Sequence, residues 1–182
     1  MKKAIGMVEY KTVSSGMRAA DRMVKTAEVD ILQADTVCPG KFMVLIGGEL
    51  SAVKAAVDAA ATADSEQLID RFVLGNPHDS IFSALYGASE IGSPNALGVL
   101  ETFSAAAAIV AADTAAKTAL VDLIELRLAR GMCGKSYMLL TGEIAAVQAA
   151  IETAKIGAGE GGMFLDSTVI PHPDEKLWQN IL

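Results

Sequence analysis

The spacing of apolar and polar positions changes several times along the chain, and the changes predict a definite order of elements. Ala4 to Tyr10 is an apolar run containing β-branched residues and predicts a strand. Ser14 and Ser15 can cap the next element, a helix in which Met17, Ala20, Val24 and Ala27 recur at helical spacing. Val29 to Gln33 and Phe42 to Ile46 predict two more strands, separated by Cys38-Pro39-Gly40-Lys41, where the Pro-Gly pair marks a turn. Ser51 to Ala63 places Val53, Ala56, Val57 and Ala60 on one helical face, and Leu68 to Leu74 predicts a closing strand. The order is β-α-β-β-α-β, an α+β sandwich of the ferredoxin-like kind.

The second half repeats the first. A shift of 92 residues lays Ala4-Ile5-Gly6-Met7-Val8-Glu9 on Ala96-Leu97-Gly98-Val99-Leu100-Glu101, Ala19-Ala20-Asp21 on Ala111-Ala112-Asp113, and Lys25-Thr26-Ala27 on Lys117-Thr118-Ala119. With two extra residues in the second copy, Gly40-Lys41 falls on Gly134-Lys135, Gly48-Glu49 on Gly142-Glu143, and Val53 on Val147. Collinear matches over a whole unit require a shared architecture, so the chain is read as a tandem duplication. Ser89-Glu90-Ile91-Gly92-Ser93-Pro94-Asn95 is rich in turn formers and separates a first domain at 1–91 from a second at 92–182, which ends in a short tail.

Composition narrows the setting. Hydrophobic residues make up 52% and aromatics 5%, so the core is filled by small aliphatic side chains and methionine, which favours thin, close-packed layers. The net charge of −7 is spread over both halves, with no basic stripe for a nucleic acid backbone. After Met1-Lys2-Lys3, an acidic residue at Glu9 comes before a signal-peptide apolar region could form, and no later apolar run is long enough for a membrane span. The two cysteines, Cys38 and Cys133, form no disulfide framework, and in a reducing compartment they would be thiols or ligands.

Several motifs fail on inspection. Gly134-Lys135-Ser136 looks like the end of a phosphate-binding loop, but the pattern needs glycine where Ala129 stands. Gly157, Gly159 and Gly162 fit a dinucleotide fingerprint by letter, yet they come after a helix and are read as a flexible turn. His78 and His172 lie in Pro-flanked segments with no nucleophile or carboxylate evident nearby, so they are read as surface turn residues and the chain as no enzyme. Trp178, in the tail Glu175 to Leu182, is read as an anchor that packs this tail.

The AIGMVE and ALGVLE openings, the MVKTAEV and AAKTALV helix ends and the VIPHP close at Val169 to Pro173 resemble the bacterial microcompartment (BMC) shell domain, twice over. Two domains in one chain mark the tandem class of that family, and the Thr36-Val37-Cys38-Pro39-Gly40-Lys41 segment is similar to that of its T-type branch. The resemblance implies a homotrimer forming a pseudohexameric tile in a microcompartment shell within the cytoplasm. It also implies a central pore lined by Thr36 to Lys41 and by Gly131 to Ser136, including Met132, Cys133, Gly134 and Lys135. Lys25 and Lys117 match the lysine that packs across tile edges against other shell proteins; read alone, they are solvated lysines at helix C-termini.

On its own residues, Cys38 is either an inert thiol or a ligand. The T-type resemblance implies the second, as the residue through which three chains bind one [4Fe-4S] cluster. Three symmetry-related thiolates match the three equivalent irons of a cube viewed down its diagonal, and the fourth iron takes water or an exogenous group. Electrons would then cross the shell to a lumenal redox enzyme. Cys133 falls opposite Pro39, one position out of register with Cys38, and is read as a loop thiol or as a disulfide partner of Cys38. A pore that passes metabolites without a cluster, and a trimeric small-molecule sensor, are the competing readings.

Overall fold

The computed structural model describes residues 4–182; Met1-Lys2-Lys3, read above as part of an opening that is not a signal peptide, lie outside the described residues. In chain order the elements are β1 (Ala4–Tyr10), α1 (Val13–Thr26), β2 (Val29–Val37), β3 (Lys41–Gly48), α2 (Leu50–Ala63), β4 (Leu68–Leu74) and α3 (Ser80–Leu85). The second series is β5 (Ala96–Thr102), α4 (Ala105–Thr118), β6 (Val121–Arg127), β7 (Ser136–Gly142), α5 (Ile144–Glu160), β8 (Phe164–Ile170) and α6 (Glu175–Ile181). Each series forms a four-stranded antiparallel sheet, ordered β2-β3-β1-β4 and β6-β7-β5-β8. The chain divides into two compact units: the first extends to Pro77 and takes in the short segments 104–106 and 129–134, and the second holds the rest.

In the first unit all seven residues of β1 are buried, the strand lying between β3 and β4. Strand alternation sends Gly6, Val8 and Tyr10 toward the helices, where they join Val53, Val57 and Ala60, and the Tyr10 hydroxyl donates to the Ala60 carbonyl at 2.8 Å. Gly6 is required by this close approach, since a β-carbon there would stand 2.7 Å from methyl groups of both Val53 and Val57.

Helix α1 corrects two expectations. Its cap is Thr12, whose hydroxyl accepts the Ser15 N–H, and not Ser14 or Ser15. The buried face holds Ser15, Gly16, Ala19 and Met23, while Met17 and Val24 are exposed. The reason is steric: Gly16 lies against the Phe42 ring, which leaves no room for a β-carbon and turns this face inward, so that of the predicted stripe only Ala20 and Ala27 pack against the core.

In the second unit Gly98 repeats the role of Gly6 beneath Leu140, Val147 and Ile151. Helix α5 runs through Gly157 and Gly159, which the sequence pattern assigns to a turn. Its buried face, Val147, Ala150, Ile151, Ala154 and Ala158, keeps helical spacing to the end, and only Gly162 takes a positive φ, of 69°. Helix α6 has no buried residue, so Trp178 does not anchor the tail within this chain.

The face of β6 and β7 carries a polar cluster. The Tyr137 hydroxyl donates to Glu125 Oε2 at 2.6 Å, and the Arg127 guanidinium lies 5.5 Å above the Tyr137 ring while bonding Glu125 Oε1. Burial, then the hydrogen bond to Glu125, pushes the Tyr137 phenol up to about 12. This folded value lies above the unfolded value of about 10, so the contribution to stability is complete below pH ~10 and is lost as pH rises toward ~12. Spectroscopic titration should show a late phenolate step that Tyr137→Phe diminishes; an identical curve in the variant would refute the assignment.

Candidate functional site

The predicted cysteine loop is shorter than its sequence suggested. Thr36 and Val37 are the last residues of β2 and Lys41 is the first of β3, paired with Val37, so the turn itself is Cys38-Pro39-Gly40. Gly40 has a φ of 102°, a conformation that favours glycine, and its N–H closes the turn on the Val37 carbonyl at 2.9 Å. The Cys38-Pro39 peptide bond is cis, Val37 is buried, and the Cys38 thiol is free and partly exposed.

Residues 129–134, from the connection between β6 and β7, brace this turn within the first unit. The Cys38 N–H donates to the Ala129 carbonyl at 3.0 Å, and Arg130 bonds Asp35 on β2. Gly134, with a φ of 86°, lies so near that a β-carbon on it would stand 2.9 Å from both the Cys38 carbonyl oxygen and Lys41 Nζ. Two of the residues predicted to line a pore, Cys38 and Gly134, are therefore in mutual contact. Cys133 is an exposed free thiol with a φ of 53°, Met132 is partly buried, and Lys135 is exposed.

Beneath the turn is a charge pair that sequence reasoning missed. Lys41 Nζ lies 3.0 Å from Glu9 Oε1, with the Glu9 side chain wholly buried and Lys41 17% exposed. Glu9 Oε2 accepts the Ala105 N–H at 2.9 Å, where the first residue of α4 presents an otherwise unpaired donor, and Lys41 also reaches the Gly134 carbonyl at 3.5 Å. Ser104 bonds Asp70 of β4 on the same side. The signal was present in the sequence: Glu9 is the one charge in an otherwise uncharged strand, and the repeat places Glu101 at the same position. The arrangement fixes the backbone on both sides of Cys38 while leaving the thiol available.

The two candidate edge lysines are equivalent in structure as well. Each stands in the last turn of its helix, with Lys25 bound to Asp21 at 2.7 Å and Lys117 to Asp113 at 2.6 Å, both at i,i+4 spacing. Asp113 also accepts the His78 N–H at 2.7 Å, and His78 Nδ1 lies 2.7 Å from the Ser80 hydroxyl, which makes His78 a partly buried structural residue at the start of α3. Among the described residues, no group of three or more His, Cys, Asp and Glu could hold a metal ion within one chain, and no helix is long and apolar enough to cross a membrane.

Comparison with known proteins agrees with this geometry. The BMC domain model matches residues 4–77 and again 96–173. The chain is 38% identical over 182 residues to the bacterial microcompartment shell protein PduT of Citrobacter freundii, covering 100% of this chain and 99% of that protein. Its fold is similar to the crystal structure of a microcompartment protein from Desulfitobacterium hafniense, with a TM-score of 0.86 and 44% identity over 98% of this chain and 99% of the other. A fused permuted hexameric shell protein from the RMM microcompartment is similar at a TM-score of 0.62 and 26% identity, covering 87% of this chain and 82% of that one.

Proposed function

The chain belongs to the BMC domain family as a structural protein of a bacterial microcompartment shell, and from that premise we propose that three chains close into a pseudohexameric ring around a central pore. The turn Cys38-Pro39-Gly40 of each chain faces that pore, and the three Cys38 thiolates hold a [4Fe-4S] cluster on the ring axis. Lys25 and Lys117 lie at the outer edge, against other tiles of the shell, which sits in the cytoplasm.

One observation carries the cluster reading: Cys38 is a free, partly exposed thiol on a turn whose backbone is fixed on both sides. The residues fit the group. A single chain brings together no metal-holding set among its described residues, so a cluster at Cys38 requires thiolates from several chains, and threefold symmetry supplies one for each of three equivalent irons. When bound, such a cluster supplies one-electron transfer at a potential set by its surroundings. The chain's own part is positional. Glu9 holds Lys41, Lys41 and the Cys38 N–H hold the 129–134 segment, and the thiol is presented at a fixed height. A lumenal redox enzyme is then the natural partner on one side of the tile.

Protein purified without oxygen should contain iron and acid-labile sulfide and show a broad visible absorbance bleached by dithionite. Cys38→Ser should lose all three, and Cys133→Ser should keep them. Wild-type protein with no more iron than Cys38→Ser would overturn the cluster.

A further inference from the structure

Of the chain's two cysteines, Cys133 is the one that a cluster at Cys38 leaves unused. Lining up the repeats on their Gly-Lys pairs puts Cys133 opposite Pro39, so the second thiol has no counterpart in the first copy. The fold gives it a neighbour instead. Within the first unit the Cys38 N–H donates to the Ala129 carbonyl at 3.0 Å, and a β-carbon on Gly134 would stand 2.9 Å from the Cys38 carbonyl oxygen. Cys133 directly precedes Gly134, so the turns that carry the two thiols adjoin.

The backbone that holds Cys133 is of an uncommon kind. Ala129, Gly131, Cys133 and Gly134 all take positive φ, at 51°, 73°, 53° and 86°, and two of the four are not glycine. A side chain disfavours this conformation, which persists where surrounding contacts impose it and gathers at functional sites. Here the contacts come from the Cys38 turn and its flanking strands. The Cys38 N–H holds Ala129, Arg130 bonds Asp35, and Lys41 reaches the Gly134 carbonyl at 3.5 Å. Cys133 is exposed, Cys38 is partly exposed and both are free thiols, so a dissolved reagent has access to the pair.

We propose that Cys38 and Cys133 of one chain are a redox couple that closes to an intrachain disulfide by exchange with a low-molecular-weight disulfide. The more exposed Cys133 attacks first as the thiolate. The S–S bond of the reagent breaks, one small thiol leaves, and Cys133 keeps the other half as a mixed disulfide. The Cys38 thiolate then attacks the Cys133 sulfur, which forms the protein S–S bond and expels the second small thiol. Two protein thiols are oxidised, one reagent disulfide is reduced, and the two protons end on the two released thiols. The closed state withdraws the Cys38 sulfur from any metal. This deepens the proposed pore and rests on that reading only for this consequence: cluster and disulfide exclude each other, so the cluster-bearing tile resists the reagent and the oxidised tile takes up no iron.

Full-length protein, reduced and freed of iron with a chelator, is treated with oxidised glutathione and analysed by intact mass and non-reducing peptide mapping. Both free thiols should be lost together, leaving the chain lighter by two hydrogens, without glutathione, and with the Cys38 peptide joined to the Cys133 peptide. Cys133→Ser and Cys38→Ser should each stop at one mixed disulfide. Wild type unfolded in urea should carry glutathione on both cysteines, because ring closure outruns the second exchange only where the fold holds the thiols together. Folded wild type that carries glutathione on both cysteines, or that links Cys133 to Cys133 of a second chain, would overturn the couple whatever iron the protein binds. An intrachain disulfide in protein that contains no iron after anaerobic purification would leave the couple standing and overturn the cluster.

Discussion

Glu9→Ala is expected to lower the free energy of unfolding by about 3–5 kcal/mol, the cost of leaving a buried charge without its partner. Glu9 is fully buried and serves two donors at once, the Lys41 ammonium at 3.0 Å and the Ala105 N–H at 2.9 Å. Alanine strands both. Glu9→Gln keeps an acceptor of nearly the same shape and removes only the charge, so its loss should be smaller, and Glu9→Ala with Lys41→Met should recover part of the loss by removing the orphaned charge. Urea unfolding measures all three, with the slope expected to stay constant while the midpoint falls. A loss below about 1 kcal/mol in Glu9→Ala would place the pair among ordinary surface ion pairs and contradict its role. The Cys38 thiol in Glu9→Ala should also react faster with a neutral thiol reagent, because Lys41 no longer holds the 129–134 segment against the turn.

Gly6→Ala is expected to cost about 1–3 kcal/mol by overpacking, although alanine is the better residue for most strand positions. The added carbon would meet Val53 Cγ1 and Val57 Cγ2 at 2.7 Å and the Phe72 carbonyl at 3.3 Å, and neither valine rotates freely. The clash predicts a specific coupling. Val57→Ala alone leaves a cavity and is destabilising, but combined with Gly6→Ala the cavity is filled, so the double variant should lose clearly less than the sum. Additivity within about 0.5 kcal/mol would show that the helix simply shifts away and that the close approach is dispensable. Gly92→Ala, where a β-carbon meets nothing within 4 Å, is the neutral control.

Much of the fold was readable because the repeat gives each signal twice. The β-α-β-β-α-β order of elements and the equivalence of Lys25 with Lys117 both emerge from lining up one half on the other. Where reading failed, size rather than polarity decided. On α1 the stripe Met17, Ala20, Val24 and Ala27 is only half right: Ala20 and Ala27 pack against the core, whereas Met17 and Val24 are exposed because the buried face turns about Gly16, which lies against Phe42, and Met23. Helix α3 is too short at six residues to show a helical period, and its burial depends on β6, which comes about 40 residues later.

The functional turn was legible in part. Cys38, Pro39 and Gly40 carry a local turn signal, whereas Thr36, Val37 and Lys41 look like loop only until strand pairing claims them. The partner of Lys41 was hidden for a physical reason: Glu9 sits in a strand whose burial is uniform, so no periodicity marks it, and the contact spans 32 residues. Gly134 was named for the pore loop, but the bracing of Cys38 by Ala129 and Gly134 was beyond reach, since it comes from backbone groups that every residue possesses.

Native mass spectrometry of the full chain, purified without oxygen, tests the central claim in one spectrum. The expected species is three 18.9 kDa chains carrying the added mass of four irons and four sulfides, with the added mass absent from Cys38→Ser. Three bare chains would contradict the cluster, and a single chain would contradict the tile itself.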